Sequence, residues 1–242
     1  MNIAIIFAGG VGSRMHCKSK PKQFLELHGK PIIIHTLEKF NNHKEIDAIV
    51  ISCVEDWIEY TCELVNKYNI DKVTKVIKGG STGQLSIYNG LCEAEKIARG
   101  DKCIVLINDG VRPFINDCLI TKNIECVKLY NSAITTGQVK ETVMVVNENG
   151  SVNYVTDRNK SRLAKAPQSF WLHDILEAHK KALEDGKEDF IDSCTLMQYY
   201  GYKLHLVDGP TQNIKITTPE DFYTMRALLD AKENAQIYGY EE

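Results

Sequence analysis

A chain of 242 residues is long enough to bury one substantial core, and 43% apolar with 25% charged residues is the composition of an ordinary soluble globular protein. With 29 Lys and Arg against 32 Asp and Glu, the net charge of −3 excludes the electrostatic footprint of a nucleic-acid binder, so any anionic ligand must be held by a local cluster. No apolar run approaches the roughly 18 residues of a membrane span, and the first residues carry neither the basic nor the apolar region of a leader. Cys17, Cys53, Cys62, Cys92, Cys103, Cys118, Cys126 and Cys194 are scattered, without C-x-x-C pairs or metal spacing, which reads as free thiols in a reducing cytoplasm.

In chain order, the apolar run 3–7 reads as a buried first strand. It leads into Ala8, Gly9, Gly10, Val11, Gly12, Ser13 and Arg14, and then into Lys20, Pro21, Lys22, Gln23 and Phe24. Glycines leave backbone N–H groups uncovered, so this loop can wrap phosphate oxygens while Arg14 and Lys22 supply formal positive charge. The spacing is wrong for a dinucleotide fingerprint, because from Gly10 the third glycine falls at Met15, and there is no Gly-Lys-Ser/Thr of a P-loop. A nicotinamide-dependent oxidoreductase is therefore the weaker reading.

Further apolar runs at 48–53, 73–77 and 103–107 alternate with helical patterns at 31–40, 56–68, 85–98 and 118–130, which predicts a largely parallel sheet covered on both faces. Ligands of such sheets sit at the carboxyl ends of the strands, where the glycine loop and Asp109 both fall. From 133 the pattern turns β-rich, and the runs 142–146 and 151–155 around Asn147, Glu148, Asn149 and Gly150 predict a hairpin. Helices at 173–184 and 191–200 and a strand at 204–207 follow. A last helix begins with Thr218 as cap and Pro219 in its first position, and its tail is expected to fray after about residue 234.

The glycine loop with its Pro-Lys-Gln-Phe sequel resembles the signature of the cytidylyltransferase family that makes CDP-methylerythritol or CDP-ribitol. The resemblance extends over nearly the whole chain. It includes Gly79, Gly80, Ser86, Asn89 and Gly90; Asp109, Gly110, Val111, Arg112, Pro113 and Phe114; Thr156, Asp157 and Arg158; Pro167, Gln168, Ser169 and Phe170; and Asn213 to Asp221. It implies a Rossmann-like α/β nucleotidyltransferase domain over 1–242, with a β-arm at about 139–165 that clasps a second subunit.

The implied reaction transfers CMP from CTP to a polyol phosphate and releases pyrophosphate. An ionised phosphate, with its second pKa near 6, is then the nucleophile, so no protein nucleophile is required. This suits seven histidines without metal spacing or an obvious triad. Cations must instead surround the phosphorus. By the resemblance Arg14, Lys22 and Lys215 are catalytic; Ala8, Gly9, Gly10, Gly12, Gly79, Gly80, Ser86 and Gly110 bind the nucleotide; and Asp109, Arg112, Thr142 and Arg158 bind the acceptor. Mg²⁺ is held mainly by phosphates, with Asp109 the one carboxylate placed near it.

Departures from the family pattern fall in two places. Gly83 replaces the arginine after the double glycine, with Gln84 as the compensating residue, so CTP is favoured over UTP. On the acceptor side Ala166 and Ile191 replace hydroxyl side chains, and Glu141 replaces an aspartate. Ribitol 5-phosphate or a similar alditol phosphate is accordingly the expected acceptor, with methylerythritol phosphate the alternative. A non-catalytic nucleotide sensor is the rival of a different class.

Overall fold

A computed structural model describes residues 1–9, 15 and 20–238 of the chain, and no side chain beyond residue 235. In order along the chain come β1 (Asn2–Ala8), β2 (Glu26–Leu27), β3 (Lys30–Pro31), α1 (Ile32–Asn42), β4 (Ala48–Cys53) and α2 (Ile58–Lys67). They are followed by β5 (Val73–Lys78), α3 (Gly83–Ala98), β6 (Ile104–Asp109), α4 (Asp117–Tyr130), β7 (Ser132–Gln138), β8 (Met144–Val146) and β9 (Val152–Val155). The remainder is β10 (Arg162–Trp171), α5 (Leu172–Glu184), α6 (Ser193–Tyr199), β11 (Leu206–Asp208) and α7 (Pro219–Tyr238).

Seven strands form one sheet in the order β11-β7-β10-β6-β1-β4-β5. All run parallel except β10, which pairs antiparallel with both β6 and β7. Alternation along β1 sorts the core into two layers. Ala4, Ile6 and Ala8 face the layer containing Leu37, Leu64 and Ile124 of α1, α2 and α4, while Ile3 and Ile5 face Leu91, Ile175 and Leu196 of α3, α5 and α6. Strands buried on both sides read as continuous apolar runs, which is why β1, β4 and β6 are legible in the sequence.

Pro167 lies inside a central strand, a place that normally excludes proline because it donates no ladder bond. The β10–β7 register breaks between Ala164 and Gln168, so Pro167 falls in the irregularity. The 144–155 hairpin forms a separate two-stranded sheet, closed by Gly150 at φ +81°, a left-handed conformation suited to glycine. Its Met144, Val146, Tyr154 and Val155 are exposed.

The last helix runs from Pro219 to Tyr238. It is well started: the Asp221 carboxylate accepts the Thr217 and Thr218 N–H groups, each at 2.8 Å, and Thr218 Oγ1 accepts from Asp221 N at 3.4 Å. No described helix is long and apolar enough to cross a membrane.

Candidate active site

The carboxyl ends of β1, β5 and β6 and the segment before α7 converge. Phe7 and Asp109 are partners in the parallel β1–β6 register, so both strand ends arrive at the same rim. The Asp109 carboxylate accepts from Arg112 Nε at 2.7 Å and from Lys215 Nζ at 2.6 Å. Burial would push the Asp109 carboxyl upward, but Lys215 and then Arg112 outweigh it and hold the group below the usual carboxylate range. The aromatic face of Phe7 lies 5.8 Å from the Lys215 ammonium.

Segment 213–217 is strapped across these strand ends. Arg112 donates to the Asn213 carbonyl at 3.2 Å, the Ile216 N–H donates to Val111 O at 3.0 Å, and the Lys22 ammonium donates to Ile216 O at 2.9 Å. Lys22 belongs to a buried 3-10 turn, Lys22–Phe24, whose Gln23 side chain donates to Ala8 O at 2.7 Å. Lys22, Asp109, Arg112 and Lys215, scattered through the sequence, are thereby joined in one network.

The glycine positions are close approaches. A Cβ at Gly79 would lie 2.9 Å from Ser86 Oγ, one at Gly9 3.2 Å from the same atom, and one at Gly110 3.3 Å from the Ala8 methyl. Ser86 Oγ accepts from Gly80 N at 3.1 Å and donates to Thr82 O at 2.9 Å, so it pins the turn ahead of α3. Gly10, Gly12 and Arg14 lie outside the described residues, as does Cys17. The other seven cysteines are free thiols.

Gln84, next to the glycine that stands in place of the family arginine, lines the cleft beside Asp109. Its amide donates to Lys187 O and accepts from Phe190 N, both at 2.8 Å, anchoring the loop ahead of α6. Thr142 is exposed, and Arg158, also exposed, donates to Lys140 O at 3.3 Å; neither lines the cleft beside Asp109.

That cleft, of about 230 Å³, is lined by Phe7, Asp109, Arg112 and Lys215 and also by residues the motifs did not single out, Lys165 and His179 among them. Ala166 and Ile191, the two broken family positions, are on its wall too. Lys165 gains its place from the β10 irregularity, which no periodicity announces. His179 stands on the buried face of α5 with Ile175 and Ala182, so its spacing reads as packing. As a metal ligand, Asp109 offers one carboxylate whose oxygens each already face a cation, so a divalent ion fits here only together with phosphate oxygens.

A glycine-lined strand-end rim, a buried cation–carboxylate network and an adjoining cleft on an α/β sheet define a nucleotidyltransferase. The family model for 2-C-methyl-D-erythritol 4-phosphate cytidylyltransferase (IspD) matches residues 2–231, and the chain belongs to this family. It is 55% identical over 239 residues to a ribitol-5-phosphate cytidylyltransferase of Streptococcus agalactiae, covering 99% of both chains, and 56% identical to one of Vibrio parahaemolyticus, covering 99% of this chain and 100% of the other. Identity to a 2-C-methyl-D-erythritol 4-phosphate cytidylyltransferase of Clostridium novyi is 40%, covering 95% and 96%. The structure matches that of 4-diphosphocytidyl-2C-methyl-D-erythritol synthase from Anaerococcus prevotii with a TM-score of 0.82 at 28% identity, covering 95% of this chain and 96% of the other.

Proposed function

We propose that the chain transfers CMP from CTP to ribitol 5-phosphate. The observation that carries the acceptor is the 55% identity over 99% of both chains to a protein named for that substrate, against 40% for one named for methylerythritol phosphate. An ionised oxygen of the acceptor phosphate attacks the α-phosphorus of CTP, a new P–O bond forms, and the bond to the β-phosphate breaks to release pyrophosphate. Two polyanions must be held in line against their repulsion, which the cation network supports.

In this reading Arg14 and Lys22 meet the β- and γ-phosphates and Lys215 the α-phosphate. Gly9, Gly79 and Gly80 let the backbone approach the nucleotide, with Ser86 fixing the turn. Arg112 meets acceptor phosphate and Asp109 an acceptor hydroxyl, while Thr142 and Arg158 contribute from the arm of a second subunit. Asp109 together with substrate phosphates would hold Mg²⁺, which supplies charge neutralisation at the phosphate oxygens when bound. Homodimerisation through the arm is supported by its exposed apolar side chains, and a cytoplasmic setting by the free thiols.

Pyrophosphate release is the test, with CTP or UTP, with and without Mg²⁺, and with ribitol 5-phosphate or methylerythritol phosphate. Turnover is expected with CTP, Mg²⁺ and ribitol 5-phosphate together. A preference of tenfold or more for methylerythritol phosphate overturns the acceptor assignment, and CTP binding without turnover on any polyol phosphate overturns the enzyme reading.

A further inference from the structure

The cleft beside Asp109 carries three cationic side chains, Arg112, Lys165 and Lys215, and two carboxylates, Asp109 and Asp192. Both carboxylates are already engaged. Asp109 holds Lys215 and Arg112, and Asp192 caps α6 through Thr195 N at 2.9 Å and accepts from Gln168 Nε2 at 3.1 Å. Lys165 is left with no carboxylate partner among the described residues, although it is half-buried and has Arg112 and Lys140 as charged neighbours. A lysine in that position is normally either solvated or paired.

Its location is built. The register break between Ala164 and Gln168 lets residues 164, 165 and 166 all line the cleft, where regular alternation would turn the middle one away. Room comes from Gly137 on the neighbouring strand, where a Cβ would lie 2.8 Å from Lys165 Cε and 3.2 Å from its Nζ. Any other side chain at 137 would displace the ammonium.

We propose that Lys165 is an acceptor-binding residue that holds the phosphate of the polyol phosphate. This rests on the polyol-phosphate reading above. The sheet order argues for the acceptor over the triphosphate. The glycine loop follows β1 and the Gly79–Gly80 turn follows β5, whereas Lys165 stands on β10, across β6 from β1. Burial, together with the Arg112 and Lys140 charges, lowers the Lys165 pKa, and a phosphate dianion beside it relieves that penalty.

Steady-state kinetics of Lys165→Gln, Lys165→Ala and Lys165→Arg with CTP and ribitol 5-phosphate test the assignment. Wild-type turnover with that acceptor, scored first, decides the underlying reading separately. If it fails, competition by inorganic phosphate for whichever polyol phosphate is used serves as the readout of Lys165. Loss of a charge-assisted hydrogen bond is expected to raise the acceptor KM about tenfold to a hundredfold. The KM for CTP should change less than about twofold, kcat should fall less than the acceptor KM rises, and Lys165→Arg should recover most of the loss. Inhibition by inorganic phosphate, competitive with the acceptor, should weaken in parallel. Unchanged acceptor KM in variants that melt like wild type, or a KM for CTP that rises as much, overturns the proposal.

Discussion

Lys215 Nζ lies 2.6 Å from Asp109 Oδ1, so a lysine from the segment before the last helix closes a charge network begun at the end of β6. Arg112 is buried against the other oxygen of the same carboxylate, while the Lys215 side chain keeps 40% of its exposure. Removing the carboxylate leaves two cations facing each other, one of them desolvated.

Asp109→Asn should therefore destabilise the fold by about 3 kcal/mol, the low end of what breaking a buried pair costs because Lys215 remains partly solvated. The sign with pH follows from the lowered folded pKa. The stabilisation is complete above the unfolded carboxylate value of about 3.9 and disappears only as acid titrates the group through its lower folded value. Urea unfolding at pH 7 should show the difference, and wild type and variant should converge below pH 4. Equal stability at pH 7 would show that the network contributes nothing net.

Lys22→Met keeps the aliphatic stem in the buried turn and removes the ammonium that reaches Ile216 O. If Lys22 stabilises charge on the leaving pyrophosphate, kcat should fall about a hundredfold or more, since one such donor is typically worth roughly 2.7 to 4 kcal/mol. Near-wild-type turnover in pyrophosphate release would remove Lys22 from the chemistry and leave it as the tether of segment 213–217.

Much of this arrangement was legible because the physics that forms it is periodic or local. Strands 48–53 and 104–109 are buried throughout and carry the apolar runs 48–51 and 104–107 because both faces are covered, and Thr218 with Pro219 announces a helix start by local hydrogen bonding. The grouping of Lys22, Asp109, Arg112 and Lys215 came only from motif resemblance, since nothing local in the sequence brings distant cations together. The anchoring bonds of Gln84 were not legible, because an amide beside a replaced arginine says nothing about the backbone of 187–190. Lys165 and His179 escaped notice because one depends on a strand irregularity and the other on a helix face that spacing describes equally well as core.

The exposed apolar side chains of the 144–155 hairpin would be covered if the arm packs on a second subunit, and Arg158, which does not line its own cleft, would then serve the partner's. Mixing inactive Lys22→Ala with inactive Arg158→Ala subunits should restore up to about a quarter of wild-type sites in random heterodimers. A monomer by light scattering, or no recovery despite subunit exchange, would count against a shared site.

His179 is 1% exposed, neither ring nitrogen has a partner among the described residues, and burial lowers its pKa from 6.5 to about 4. Because the folded value is depressed, the unfolded chain binds the proton first, and stability falls as pH drops from about 6.5 toward 4. Between pH 7 and pH 4.5 this one residue should account for about 2 to 3 kcal/mol of lost stability. His179→Leu should flatten that part of the profile, as read from urea midpoints across the range. An identical slope in wild type and variant would mean that the ring is solvated in the folded protein.

Ala166 and Ile191 both line the cleft beside Asp109, Ala166 buried and Ile191 89% exposed, and in the proposed reading the two missing hydroxyls would have faced the acceptor there. An acceptor hydroxyl facing either position would lose its partner, at about 1 to 3 kcal/mol for each buried group. The cost at the exposed Ile191 should be smaller because water can replace the lost donor. The unmodified protein should accordingly show a higher kcat/KM for ribitol 5-phosphate than for methylerythritol phosphate. Ala166→Thr should shift the ratio toward methylerythritol phosphate by about tenfold, Ile191→Thr by less, and the double variant by the most. If Ile191→Thr produces the larger shift, the exposed position closes over the acceptor when substrate binds, and the cleft wall seen here is not the one that selects it.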